Sequence, residues 1–153
     1  MEYKERTQQP SKTAFYNALH RALAHKMYEN DKLGRDNLAE VFLPWYYRLF
    51  LKIPAIQNNT KQKLDQAFPG LNAYVTARTA FFDQLFVRAL QENIPQIVML
   101  GAGYDSRPYR FAELNQDTLI FELDKPTTQN KKKQSLKKAG IAIPDFVRFV
   151  PID

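Results

Sequence analysis

The chain has 153 residues, no cysteine and a formal net charge of +6, with 44% hydrophobic and 13% aromatic residues. That length supports a domain with a real core, and the aromatic content argues against disorder. Without cysteine there is no disulfide framework, thiolate metal site or cysteine nucleophile, which fits a reducing cytoplasm. No stretch approaches the roughly 20 apolar residues of a membrane span, and the polar N-terminus lacks the apolar centre of a signal peptide. A cytoplasmic protein is expected, with neither membrane nor nucleic acid as partner.

Along the chain, Ala14, Phe15, Ala18, Leu19, Ala22, Leu23 and Met27 recur at helical steps, with Ser11 or Thr13 available as N-cap. His20 and His25 do not share a helical face as metal ligands should, and are read as surface residues; no metal site is expected. After a polar stretch around Gly34 comes an apolar, aromatic segment holding Phe42, Trp45, Tyr46, Tyr47 and Phe50. Pro44 belongs in a first helical turn, so two short helices are expected here. These aromatic residues are either core packing or a lid over a small-molecule pocket. Asn58-Asn59-Thr60 and Pro69-Gly70 are read as breaks.

A second strong helix is expected over 72–93, with Ala77, Phe81, Phe82, Leu85, Phe86, Ala89 and Leu90 as its apolar stripe. Arg78 falls on or beside that stripe. A guanidinium there needs an anion, either a structural carboxylate or that of a ligand. The pattern then changes. Gln96–Leu100, Thr118–Leu123 and Phe146–Pro151 are short apolar runs, and Pro126–Ala139 reads as a helix stopped by Gly140. Lys131, Lys132, Lys133, Lys137 and Lys138 are taken as its solvated face. Strands alternating with helix-length segments indicate a parallel α/β sheet with right-handed crossovers.

Ligands of such sheets bind beyond the carboxyl ends of the strands. Gly101-Ala-Gly103 follows the first strand, where glycines permit a sharp turn and close approach to a ligand, and the next helix start offers free N–H groups. Glu122 and Asp124 close the second strand, where a carboxylate accepts ribose hydroxyls. Asp153 ends the third. The dinucleotide fingerprint requires a third glycine where Ser106 stands, and the bulky Tyr104-Asp105-Ser106-Arg107 would crowd a pyrophosphate.

Leu-Gly-Ala-Gly-Tyr-Asp-Ser-Arg-Pro-Tyr-Arg at 100–110 resembles the leucine carboxyl methyltransferase family, including its bacterial S-adenosylmethionine (SAM)-dependent O-methyltransferases. Ala77-Arg78-Thr79 ahead of Phe82-Asp83, Phe121-Glu-Leu-Asp-Lys-Pro126 and Val150-Pro-Ile-Asp153 match further family segments in order. Ser11-Lys-Thr-Ala ahead of Arg21-Ala22 is a looser match. The resemblance implies a class I Rossmann-like sheet and SAM as cofactor. Arg78 would pair with the methionine carboxylate, Gly101 and Gly103 would admit the methionyl part, Asp124 would bind the ribose, and Asp153 would lie by the adenine. Asp105 and Glu122 are further candidates, though either could instead position loops or pair with Arg107 or Arg110. No catalytic residue is identified, because methyl transfer needs little more than alignment. The acceptor would be a carboxylate or hydroxyl, covered by a helical region at 1–70 with Trp45, Tyr46 and Tyr47 as lid; 71–153 would be a partial cofactor-binding domain.

A complete class I sheet has more strands than these three, and the chain stops inside its last matching segment. A fragment, a shortened frame or one part of a split enzyme is therefore expected, with SAM binding weak or absent and no turnover alone. A non-catalytic interaction protein is the alternative. With strand order 3-2-1 the first strand is left as an edge open to self-association.

Overall fold

The computed structural model describes residues 9–27 and 35–152. Helix α1, Lys12–Met27, is capped as its sequence suggests: the Ser11 Oγ accepts the Ala14 N–H at 3.1 Å. It buries Ala14, Ala18, Leu19, Ala22 and Leu23. A 3₁₀ turn follows at Ala39–Phe42, and then Pro44 breaks the chain ahead of α2, Trp45–Phe50. Pro54 starts α3, Pro54–Ala67, and Gly70 at φ 78° leads into α4, Leu71–Gln91.

Two expectations are corrected in this helical part. Asn58-Asn59-Thr60 is no break but lies inside α3, where Asn58 and Asn59 are exposed. Asparagine on a solvated helix face costs only a fraction of a kcal/mol, about 0.7 at most, and the Lys61–Asp65 ion pair at 2.7 Å supports the same helix. His20, expected at the surface, is buried, with its ring 3.4 Å from the Asn72 Oδ1 across to α4. Burial pushes its pKa below the ordinary value, which keeps the ring neutral near pH 7.

The fold class is as expected: α/β, with a Rossmann-like parallel half-sheet. Strands β1 (Gln96–Leu100), β2 (Leu119–Asp124) and β3 (Val147–Pro151) lie in the order β1-β2-β3. Val98 faces Phe121 in register, and Phe121 faces Arg148. The link from β1 to β2 holds only the short helix α5, Arg107–Arg110, and a 3₁₀ turn at Ala112–Leu114. Helix α6, Pro126–Lys138, connects β2 to β3. It ends in a Schellman arrangement, with the Gly140 N–H on the Lys137 carbonyl and the Ile141 N–H on Leu136; Gly140 has φ 70°. Asn93, at φ 51°, ends α4 the same way, through Ile94 to Ala89 and itself to Leu90.

Packing divides into two clusters. One joins α1 and the 3₁₀ turn to Tyr104, Tyr109 and Leu136; the other sets Phe86 and Leu90 of α4 on Ile120 of β2. The edge strand β1 stays open, with Val98 56% and Leu100 77% exposed. Among the described residues, no helix is long and apolar enough to cross a membrane.

The lysine run of α6 is not a uniform solvated face. Lys132 is fully buried (0% exposed), and its Nζ donates to the Glu122 Oε2 at 2.6 Å. The Glu122 Oε1 accepts the Tyr109 hydroxyl at 3.1 Å. One helical turn faces both water and sheet, so one lysine of three consecutive ones turns inward to meet the only charge on the centre of β2. Lys132→Ala should lower stability by about 3–5 kcal/mol, since it leaves Glu122 buried and unpaired. The double substitution Glu122→Leu with Lys132→Met should recover most of that loss. Urea unfolding of both variants checks this, and equal losses in the two would refute it.

Candidate binding site at the strand ends

The backbone leaves β1 through Gly101 at φ 61° and Gly103 at φ 52°, a conformation that a residue with a Cβ rarely adopts. Gly101 faces open space, so its need for glycine is purely conformational. A Cβ at Gly103 would lie 3.2 Å from the Ala14 Cβ, so there close packing of α1 adds to the demand. The turn is fastened to β2 twice. The Ala102 N–H donates to the Leu123 carbonyl at 3.0 Å, and the Gly103 N–H to the Asp124 Oδ2 at 2.6 Å. The Asp124 Oδ1 accepts the Lys125 N–H at 2.7 Å.

A cavity of about 470 Å³ opens over this turn, within the usual size of small-molecule sites. Gly101, Gly103, Asp105 and Asp124 border it, Arg78 and Phe82 enter from α4, and Ser11, Thr13 and Asn17 line it from α1. Arg78 is exposed towards it and makes no ion pair among the described residues; its guanidinium carbon lies 5.6 Å from the centre of the Phe82 ring. The buried side of α4 differs from the expected apolar stripe. It consists of Asn72, Val75, Thr79, Asp83, Phe86 and Leu90, while Ala77, Phe81, Phe82 and Leu85 are exposed.

The reason is an ion network, of which sequence reasoning offered only the pairing of Asp105 with Arg107 or Arg110. Asp83 Oδ1 accepts Arg107 Nε at 2.8 Å and an Arg110 terminal nitrogen at 2.7 Å, while its Oδ2 accepts the other Arg110 nitrogen at 2.9 Å. Arg107 also pairs with Asp105. Asp36 Oδ2 accepts Arg21 Nε at 2.8 Å, and its Oδ1 lies 3.5 Å from Arg110. Arg21 donates to the Tyr104 carbonyl at 2.7 Å and so ties α1 to the glycine turn. Three arginines meet three aspartates, and no net charge is left beneath the cavity. Ser106 belongs to the same network, its Oγ accepting Arg110 Nε at 2.9 Å. That contact explains a serine where a dinucleotide fold has glycine.

Residues 14–153 match the family model described as leucine carboxyl methyltransferase. The chain belongs to this family. A relative from Mycolicibacterium paratuberculosis, bearing the name "Putative S-adenosyl-L-methionine-dependent methyltransferase", is 32% identical over 138 residues, which is 86% of this chain and 43% of the relative. One of the same name from Mycolicibacterium gilvum is 43% identical over 89 residues, 58% of this chain and 36% of its own length. YktD of Bacillus subtilis is 39% identical over 77 residues, 50% and 25% respectively. The matched part of the chain thus spans less than half the length of each of these relatives.

Of the residues singled out from the sequence, Arg78, Gly101, Gly103, Asp105 and Asp124 come together at the cavity. Glu122 does not reach it. Asp124 sits at the rim of β2, whereas Glu122, two residues deeper, is held by Lys132 and Tyr109, and burial raises its pKa although Lys132 opposes this. Asp153 lies outside the described residues. Trp45, Tyr46 and Tyr47 are not among the residues that line the cavity; Trp45 is 73% exposed, and Tyr47 packs on Phe15 with centroids 5.3 Å apart. The N–H groups expected free at a helix start are partly used as well, since Asp105 N–H donates to Ala102 and Arg107 N–H to the Asp105 carboxylate. Asp83 was within reach of sequence reasoning, as it completes the Arg78-to-Asp83 segment; Asp36 carried no comparable signal.

Burial opposes ionisation of Asp36, but Arg21 and Arg110 outweigh it and hold the carboxyl below its ordinary value of 3.8. Its contribution to stability is therefore present above that pH and is lost as pH falls through the lowered folded-state value. Asp36→Asn should be less stable than the parent near neutrality, with the two stabilities converging as acid is added below pH 3.8. Urea unfolding across pH tests this; parallel curves would contradict it.

Proposed function

We propose that this chain forms the cofactor-binding part of a SAM-dependent O-methyltransferase whose acceptor is a carboxylate or hydroxyl oxygen. The observation that carries this reading is an arginine with no anionic partner among the described residues, Arg78, facing the same cavity as a glycine turn and a strand-end carboxylate. The residues fit the cofactor's chemistry: a cation for its amino-acid carboxylate, bare backbone beside it, and an acceptor for its ribose hydroxyls. The names of the two Mycolicibacterium relatives point the same way.

Bound there, SAM supplies a methyl group on a positively charged sulfur. Arg78 seats the carboxylate through a charge-assisted hydrogen bond. Gly101 and Gly103 keep side chains off the methionyl part. Asp124 already accepts one backbone N–H on each carboxylate oxygen, and each oxygen has a further lone pair for a ribose hydroxyl. Asp105, paired with Arg107, shapes the loop. By the family resemblance, Asp153 would be the residue for the adenine. Attack by the acceptor oxygen needs alignment with the methyl carbon more than a strong base.

Binding to this chain should be weak, because β1 and α4 leave one side of the cavity open. Titration of the chain with SAM by NMR should shift the amides of Gly101, Gly103 and Lys125. Arg78→Ala should weaken binding about tenfold or more, the worth of a hydrogen bond to a charged group. Shifts confined to other regions, or affinity unaffected by Arg78→Ala, would defeat this reading.

A second reading rests on the open β1 edge, with Val98 and Leu100 exposed: pairing with another strand, in the simplest case from a second copy. Sedimentation should then show dimers or larger species that Val98→Lys reduces to monomers. A parent chain monomeric at all concentrations would dismiss it.

A further inference from the structure

We infer that Phe82 is a positioning residue, whose ring holds the Arg78 guanidinium in place at the cavity before a ligand arrives. This rests on the reading of the cavity as a SAM site.

Phe82 is 42% exposed, although apolar, and it borders the cavity. Two guanidiniums lie over its ring, Arg78 at 5.6 Å and Arg107 at 5.5 Å from the centroid. Their situations differ. Arg107 is fixed by Asp83 and Asp105, and Arg78 has no ion pair among the described residues. Asp83, the next residue on α4, is gripped by Arg107 and Arg110, which sets the rotation of the helix about its axis. The ring is therefore a fixed surface. Arg78 stands four residues before it, the spacing at which helical side chains meet.

An exposed arginine without a partner samples many rotamers, and ordering it on binding is charged against affinity. A cation over an aromatic face is attracted by the ring quadrupole without losing its hydrogen-bond donors. Phe82 thus narrows the positions of Arg78 while leaving it free to receive a carboxylate. It needs no contact with the ligand to do so.

The test compares two ligands on the intact chain by ligand-observed NMR: SAM, and 5′-methylthioadenosine, which shares the nucleoside and sulfur but has no carboxylate. The parent chain should prefer SAM. Phe82→Leu, which keeps an apolar wall but removes the ring face, should weaken SAM about two- to fivefold, the scale of an exposed cation–π contact. The same substitution should leave methylthioadenosine unchanged, and Phe82→Tyr should retain parental affinity for both. Unchanged SAM binding in Phe82→Leu overturns the inference. So does a parallel loss of both ligands, which would mark Phe82 as a structural wall. If the parent binds neither ligand, the reading of the cavity fails and the inference with it.

Discussion

Asp83 accepts hydrogen bonds from Arg107 and Arg110, and through them the long helix α4 is pinned to the segment that follows the glycine turn. Arg110 reaches on towards Asp36, and Asp36 in turn holds Arg21 of α1. Four pieces of chain, three of which also share the apolar cluster of α1, are thereby brought round one cavity. A buried ion network is a poor source of net stability, because desolvation offsets most of its attraction. It does have strict geometry, and that is what a binding site needs. Losing any member leaves a charge uncompensated, so the network tolerates one arrangement of α1, α4 and the turn and penalises the rest.

The pocket wall follows from this constraint. With Asp83 turned inwards, the adjoining face of α4 presents Arg78 and Phe82 to the cavity. Leu85 lines it as well, together with Val98 and Leu100 of β1. An apolar helix face is thus spent on a cavity rather than on the core, and the second cluster is left small: Phe86, Leu90 and Ile120, with partly buried neighbours.

The regular elements were legible because their signals are local. Alternation of short apolar runs and helix-length segments yielded the three strands within a residue or two, and Pro44, Pro126 and Gly140 mark boundaries by their own backbone chemistry; α3, across which a break was expected, is the exception. The glycine turn and Asp124 were legible for the same reason. What escaped were contacts made across long separations. Nothing near Lys132 distinguishes it from Lys131 or Lys133; its burial depends on a carboxylate ten residues earlier and on which way α6 leans on the sheet. His20 looked polar and therefore external, but Asn72 meets it from 52 residues away. On α4 charge pairing, rather than hydrophobicity, sets which face is inside: Asp83 is buried while Phe81, Phe82 and Leu85 are exposed.

The tethers of α1 also impose an order on assembly. Its Ser11 N–H donates to the Thr128 Oγ1, 117 residues later, and its Arg21 to the Tyr104 carbonyl, 83 residues later. A helix of 16 residues is marginal by itself in water, and closing such long loops is entropically slow. Arg21 is synthesised well before Tyr104, and Ser11 well before Thr128, so these two tethers wait on segments far along the chain. The cavity, which borrows one wall from α1, is complete only once that helix and the sheet have met.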